Sequence, residues 1–201
     1  MFATVVEGKY ELTIKKSVFI ALSFIVDGKE DVKSISAELK KKYADATHVC
    51  TGFISDEKGD EFGYDDDGEP SGTAGKPIYS AIESAGLRHS MIAVVRYFGG
   101  IKLGAGGLTR AYRQAASELI TSVGTVKCER LCEYRVVCDT AAYKSVSNVL
   151  KSSGCTLDKI VFNDNVSFSL MCPPSVDVDK LIGGLGGKAE KIGEIISKTD
   201  G

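Results

Sequence analysis

Histidine is scarce in this 201-residue chain: only His48 and His89 occur. Few side chains can therefore change charge near neutral pH, and few are available for acid–base catalysis. Paired cysteines are missing as well. The six cysteines, at 50, 128, 132, 138, 155 and 172, form no CxxC pair and no metal-like repeat, so a zinc site or a redox dithiol is not indicated. Neither sign of charge dominates. With 25 Lys and Arg against 27 Asp and Glu the net charge is −2, which excludes a protein that coats nucleic acid by bulk attraction. Long apolar runs are lacking too. Val18–Val26 spans nine residues, where about 20 are needed to cross a bilayer, and no signal-peptide cleavage pattern follows it. Free thiols and no membrane segment point to the cytoplasm.

The composition, 43% hydrophobic and 26% charged, is that of a globular protein, and the length allows one or two domains. Tyr10–Ile14 and Val18–Val26 read as strands. Val32, Ile35, Leu39 and Tyr43 trace one helical face, opposite a solvated Lys40-Lys41-Lys42 run. His48–Ser55 and Met91–Val95 are further strands, Ile78–Ala85 a short helix, and Leu108–Val123 a longer one with an apolar stripe. From Thr125 the order changes: a strand at Leu131–Cys138, a helix around Tyr143–Leu150, a hairpin Thr156–Phe162 and Val166–Cys172 with Asn163-Asp164 at its turn, a glycine-weakened helix from Val178 to Leu185, and a strand at Lys191–Ser197. That order is βαββαβ, the ferredoxin-like pattern. Two α+β domains are expected, 1–125 and 126–201. Cys132 and Cys138 share strand parity with Tyr134 and Val136 and are expected on a buried face.

Charge is distributed in blocks. Between Asp56 and Glu69 stand eight acids against Lys58 alone; from Lys76 to Arg113 six bases stand against Glu83. The stretch YDDDGEPSGTAGKP (64–77) suggests a phosphate loop, but a Walker A motif would need Gly where Pro70 stands and Ser or Thr where Pro77 stands. Three consecutive acids rarely converge on a metal, so a solvated, mobile loop with a turn at Glu69–Gly72 is the favoured reading, with Gly72 and Gly75 free to take positive φ. The second stretch, RYFGGIKLGAGGLTRAYR (96–113), is more telling. A strand ends, a glycine-rich loop follows, and a helix opens through Gly106 and Gly107, where unpaired amides suit an anion. Arg110 and Arg113 sit in its first turns, where the helix dipole disfavours cations. Anion binding or pairing with the acidic loop would explain them; close packing of glycines is the alternative. His48 and Cys50, two apart on a strand, read as structural.

DDGEPSGTAGKP (66–77) and RYFGGIKLGAGGLTRAY (96–112), with ATHVC (46–50) and KKSVFIA (15–21) upstream, resemble the bacterial YigZ/IMPACT family. The likeness covers most of residues 1–124, with Val18 where the family commonly has Arg. It implies an N-terminal domain like the second domain of a small-subunit ribosomal protein, with a left-handed βαβ crossover. The C-terminal domain would be ferredoxin-like, similar to a domain of elongation factor G. Eukaryotic members act in translation control. The motif positions that carry over include Asp66, Asp67, Glu69, Ser71, Thr73, Phe98 and Tyr112, expected as a surface, and no catalytic roles come with them. The expected function is a non-enzymatic regulatory binding protein acting on translation through structured RNA, the ribosome or a translation factor. Its anion contacts would come from Lys76, Arg96, Lys102, Gly106, Gly107, Arg110 and Arg113. No metal, cofactor or membrane is implied. The alternative is a phosphate- or nucleotide-dependent small-molecule enzyme using the loop 99–107, with Asp66 or Asp67 as its only candidate base.

Overall fold

The computed structural model describes residues 1–198, so the last three positions of the expected C-terminal domain lie outside the described residues. Among the described residues it is a mixed α/β protein with two sheets and five α-helices. The chain divides into two compact units that meet in sequence at Lys127/Cys128.

In the first unit, β1 (Phe2–Val5), β2 (Gly8–Ile14) and β3 (Ser17–Ile25) precede α1 (Lys29–Lys42) and β4 (His48–Ile54). Then come β5 (Phe62–Asp65), α2 (Gly75–Ser84), β6 (Ser90–Tyr97) and α3 (Ala105–Val123). The sheet order is β2-β3-β6-β4-β5, and every neighbouring pair is antiparallel. Because β3 and β4 both run antiparallel to β6, they are parallel to each other, joined by the α1 crossover over β6. Side-chain parity explains why β3 and β6 are apolar nearly throughout. Phe19, Ala21, Ile92 and Val94 pack with Ile78 and Ile82 of α2 and with Leu108, Tyr112, Ala115 and Leu119 of α3. Ile20, Ala93 and Val95 point the other way and pack with Leu39 of α1 and Val49 of β4. Both faces are therefore covered, as a three-layer arrangement requires.

The second unit carries β7 (Thr125–Asp139), α4 (Tyr143–Ser152), β8 (Thr156–Phe162), β9 (Asn165–Cys172), α5 (Val178–Ile182) and β10 (Gly187–Lys198). Its strands run β10-β7-β9-β8, each pair antiparallel. The alternation of Val166, Phe168, Leu170 and Cys172 marks the buried face, against Val146, Leu150, Val178 and Ile182 of the helices. Cys132 and Cys138 are buried on the same side, as small apolar residues. The helix expected to reach Leu185 stops at Ile182 and tightens into a 3₁₀ turn at Gly183–Leu185, because successive glycines lower the helix preference there by about 1 kcal/mol each.

Two elements of the first unit have no periodic signature in the sequence. β1 is held by backbone and side chains: the Arg88 amide donates to the Ala3 carbonyl at 2.8 Å, and the Thr4 hydroxyl reaches the His89 carbonyl at 3.1 Å and the Ser90 hydroxyl at 3.0 Å. β5 is a short edge strand paired with β4. The β2–β3 hairpin closes through only Lys15 and Lys16, at φ 46° and 66°, the geometry of a turn that favours Asn-Gly. Left-handed backbone costs a non-glycine residue roughly 1–2 kcal/mol. Lys15→Asn/Lys16→Gly is therefore expected to stabilise the chain by about 1 kcal/mol, measured as a rise in the urea midpoint. An unchanged or lower midpoint would show that the lysines contribute contacts that offset the strain.

Candidate functional site

The site grows from the acidic stretch after β5. Asp67, at φ 44°, folds back on β4: its carbonyl lies 2.7 Å from His48 Nδ1, and its carboxylate accepts the Val49 amide at 2.7 Å. The Cys50 thiol lies 3.1 Å from the Asp66 carbonyl. His48 and Cys50 thus anchor the loop, the structural role that their spacing suggested. The Asp66 carboxylate accepts the amides of Gly72 at 2.7 Å, Gly75 at 2.8 Å and Ala74 at 3.0 Å. It satisfies the opening of α2, a duty normally filled by a residue just before the helix. Lys40 reaches Asp67 at 2.6 Å and Asp65 at 3.6 Å.

These contacts correct one expectation. The loop at Asp66–Glu69 is not merely solvated and mobile, because the Asp66 and Asp67 carboxylates are bound to backbone amides and Glu69 is buried. Lys40, Lys41 and Lys42 are exposed as expected, with Lys40 also paired to Asp67. Burial would raise the Asp66 carboxyl, but the three amides outweigh it and hold it below the usual carboxylate range. Asp67 is likewise held low, against burial, by Lys40 and the Val49 amide. The turn lies at Pro70–Thr73, where Gly72 takes φ 74°, while Gly75 is already helical.

Beyond the turn, Glu69 is carried inward. Its Oε1 accepts Arg96 Nη1 at 2.5 Å and the Tyr112 hydroxyl at 2.8 Å, and His48 Nε2 stands 3.9 Å away. The side chains of Arg96 and Glu69 are only 6% and 3% exposed. The guanidinium lies between the rings of Phe19 and Phe98, 5.5 Å from each centroid. Its Nη2 reaches Ser17 Oγ at 3.4 Å, and its Nε is buried without a hydrogen-bond partner. Tyr112 also lies 3.4 Å from the Cys50 thiol. Burial, with Cys50 and Glu69 close by, pushes its phenol well above the ordinary value, and burial does the same to the thiol.

Arg96 and Glu69 line a cavity of about 440 Å³ together with Thr47, His48, Pro70, Phe98, Lys102, Leu103, Gly104, Ala105 and Leu108. Its far side is the start of α3. Gly104 at φ 71° precedes the helix; no side chain caps it and no acid lies in its first turn. The Leu108 amide is the first to bond within the helix, to the Gly104 carbonyl, so the amides of Ala105, Gly106 and Gly107 have no intrahelical acceptor. The helix opens three residues before Leu108, which puts Gly106 and Gly107 inside its first turn.

The predicted residues divide accordingly. Arg96, Lys102, Glu69 and Phe98 converge on the cavity with the first turn of α3. Lys76, Arg110 and Arg113 are exposed and do not line it; Arg113 instead reaches Ser84 Oγ at 3.3 Å. Ser71 is exposed, but Glu69, Thr73 and Tyr112 are buried. Three of the seven residues expected as a motif surface are thus interior, Glu69 and Tyr112 because a carboxylate, a guanidinium and a phenol that satisfy one another can leave water together. Missed at the sequence level were His48, Pro70 and Leu103 in the cavity wall, and the Lys15-Lys16 turn. Gly99 lies flat on that turn: a Cβ there would stand 2.0 Å from the Lys16 carbonyl carbon. A two-residue, all-lysine gap between strands was the one available signal.

The motif-bearing region matches the Impact N-terminal domain family over residues 15–120. The chain belongs to the IMPACT family. It is 36% identical to IMPACT family member YvyE of Bacillus subtilis over 161 residues, which is 80% of this chain and 74% of that protein. It is 34% identical to IMPACT family member YigZ of Escherichia coli over 160 residues, 79% of this chain and 77% of the relative. A crystal structure of a hypothetical protein overlaps 96% of this chain and 98% of its own at 26% identity and a TM-score of 0.65.

The Asp66 cap carries a stability prediction. Asp66→Ala should cost about 2 kcal/mol at pH 7, since three amides lose their acceptor. A carboxyl with a depressed folded pKa stabilises the chain above its unfolded value, near 3.9, and loses that effect as pH falls through the lower folded value. The gap between wild type and variant in denaturant titrations should be full at pH 7 and shrink below about pH 4; a gap independent of pH would refute the ionised cap.

Proposed function

We propose that this chain is a non-enzymatic regulatory binding protein acting on translation, through RNA, the ribosome or a ribosome-associated factor, with the cavity beside Arg96 and the start of α3 as its contact site. One observation carries the binding half: a cavity lined by Arg96, whose buried Nε has no hydrogen-bond partner among the described residues, adjoins the start of α3, which no side chain of the described residues caps. The translation half rests on the IMPACT resemblance, whose eukaryotic members act in translation control. On the same basis, residues 1–125 form the IMPACT-like domain, with a ribosomal-protein-like fold and a left-handed crossover between β3 and β4. Residues 126–201 form a ferredoxin-like domain akin to one of elongation factor G. The strand order β10-β7-β9-β8 in the second unit supports that assignment. The protein is assigned to the cytoplasm.

A cavity of this volume also suits a small molecule, which keeps a nucleotide-dependent enzyme as the second reading. The chemistry opposes it. Asp66 and Asp67, the candidate bases, are tied to amides and to Lys40 and held below the usual range, and a carboxylate of depressed pKa is a poor base at neutral pH.

The test is sedimentation of cell lysate on a sucrose gradient at low salt. Wild type should travel with ribosomal subunits, Lys15→Ala/Lys16→Ala/Lys102→Ala should stay at the top, and Arg110→Ala/Arg113→Ala should behave as wild type. Wild type remaining at the top would overturn the translation reading. A rise in melting temperature with millimolar nucleotide in that case would favour the enzyme.

A further inference from the structure

We infer, resting on the binding reading above, that the cavity receives one unstacked base of single-stranded RNA, with the neighbouring phosphates held at the lysine rim and the first turn of α3. The character of the cavity floor leads there. Arg96 and Glu69 form an ion pair there, so the floor carries no net charge. Among the described residues Glu69 uses only Oε1 in its hydrogen bonds, which leaves Oε2 as an open acceptor. A bare phosphate placed on it would meet the Glu69 carboxylate and be repelled. A neutral group that donates a hydrogen bond to Oε2 fits, and the amino and ring N–H groups on the Watson–Crick edge of an unpaired base are such donors.

The walls suit the face of a base. Phe98 is 46% exposed and lines the cavity with Pro70, Leu103 and Leu108, a sequence-tolerant stacking surface. The rim suits the strand. Lys102 lines the cavity, Lys15 and Lys16 form the turn on which Gly99, next to Phe98, is packed, all three are exposed, and none is ion-paired among the described residues. Gly99, packed on the lysine turn with its amide 3.2 Å from Ser17 Oγ, fixes that turn beside the Phe98 loop. The free amides of Ala105, Gly106 and Gly107 add a second anchor for phosphate. Inside a duplex a base is stacked and its Watson–Crick edge is paired, so only a single strand, loop or bulge can fill the cavity.

The experiment is fluorescence anisotropy with the full chain and a labelled 12-nucleotide single-stranded RNA of mixed sequence, compared with the same RNA annealed to its complement. The single strand should bind at least ten-fold more tightly. Phe98→Ala should weaken it by about ten-fold or more while Phe98→Tyr retains it, as loss of one stacked base predicts. Lys15→Ala/Lys16→Ala should reduce the slope of log K against log salt by about 1.4, two phosphates at about 0.7 each. Circular dichroism and melting of each variant report whether it folds. Equal affinity for duplex, or indifference to Phe98→Ala in a folded variant, overturns the inference. So does displacement of the strand by equimolar free nucleoside monophosphates, which would assign the cavity to free nucleotides. Wild type that sediments with ribosomal subunits yet ignores the single strand would sink this inference alone. Single-strand binding with the Phe98 dependence, without sedimentation, supports it and removes the translation reading instead.

Discussion

A carboxylate removed from water must be neutralised and hydrogen-bonded, and the first unit is organised around one that is. Glu69 joins three elements at a single oxygen: its own loop, Arg96 at the end of β6, and Tyr112 on α3. Either ion alone would carry a desolvation penalty of several kcal/mol. Together, with Tyr112 donating and two rings flanking the guanidinium, they form a closed polar core within an apolar one. The rest of the loop serves to deliver Glu69 there. Asp66 closes the start of α2, Asp67 clips the loop to β4 through His48 and Val49, and Lys40 ties it to α1 from the other layer.

The two glycine-rich helix starts are treated in opposite ways. α2 begins against a carboxylate of the chain itself, so its orphan amides are already satisfied. α3 begins at Gly104 with none, facing a cavity whose floor is the Arg96–Glu69 pair. The one acid in that cavity, Glu69, is already paired with Arg96. An anion from outside is the natural complement to the second start and has no place at the first.

The second unit is built on different means. Its core is aliphatic and thiol-rich, with Cys132, Cys138, Cys155 and Cys172 packed among Val136, Leu150, Phe168 and Leu170. Burial pushes the Cys172 thiol up to about 11, which makes these cysteines poor nucleophiles and places them with the small apolar residues. Residues 126–201 carry ten basic and ten acidic residues, so this part of the chain has no net charge with which to attract a charged partner over distance.

What the sequence by itself determined is whatever depends on near neighbours. The buried stripes of α1 and α3, the alternation along β9 and the two family motifs were all legible, because periodicity and turn chemistry act over a few residues. The destination of the charged groups was not. Arg96 meets Glu69 across 27 positions and Ser17 across 79, and Tyr112 meets Glu69 across 43, and no local pattern distinguishes an arginine that will be buried from one that stays in water. Hence Glu69 and Tyr112 read as surface, and Arg96 read as an anion contact alongside Arg110 and Arg113. β5 escaped for the same reason: its strand conformation comes from pairing with β4 rather than from its own side chains. Only the tertiary structure decided which ions could be removed from water, because that requires partners that folding alone brings within hydrogen-bond distance.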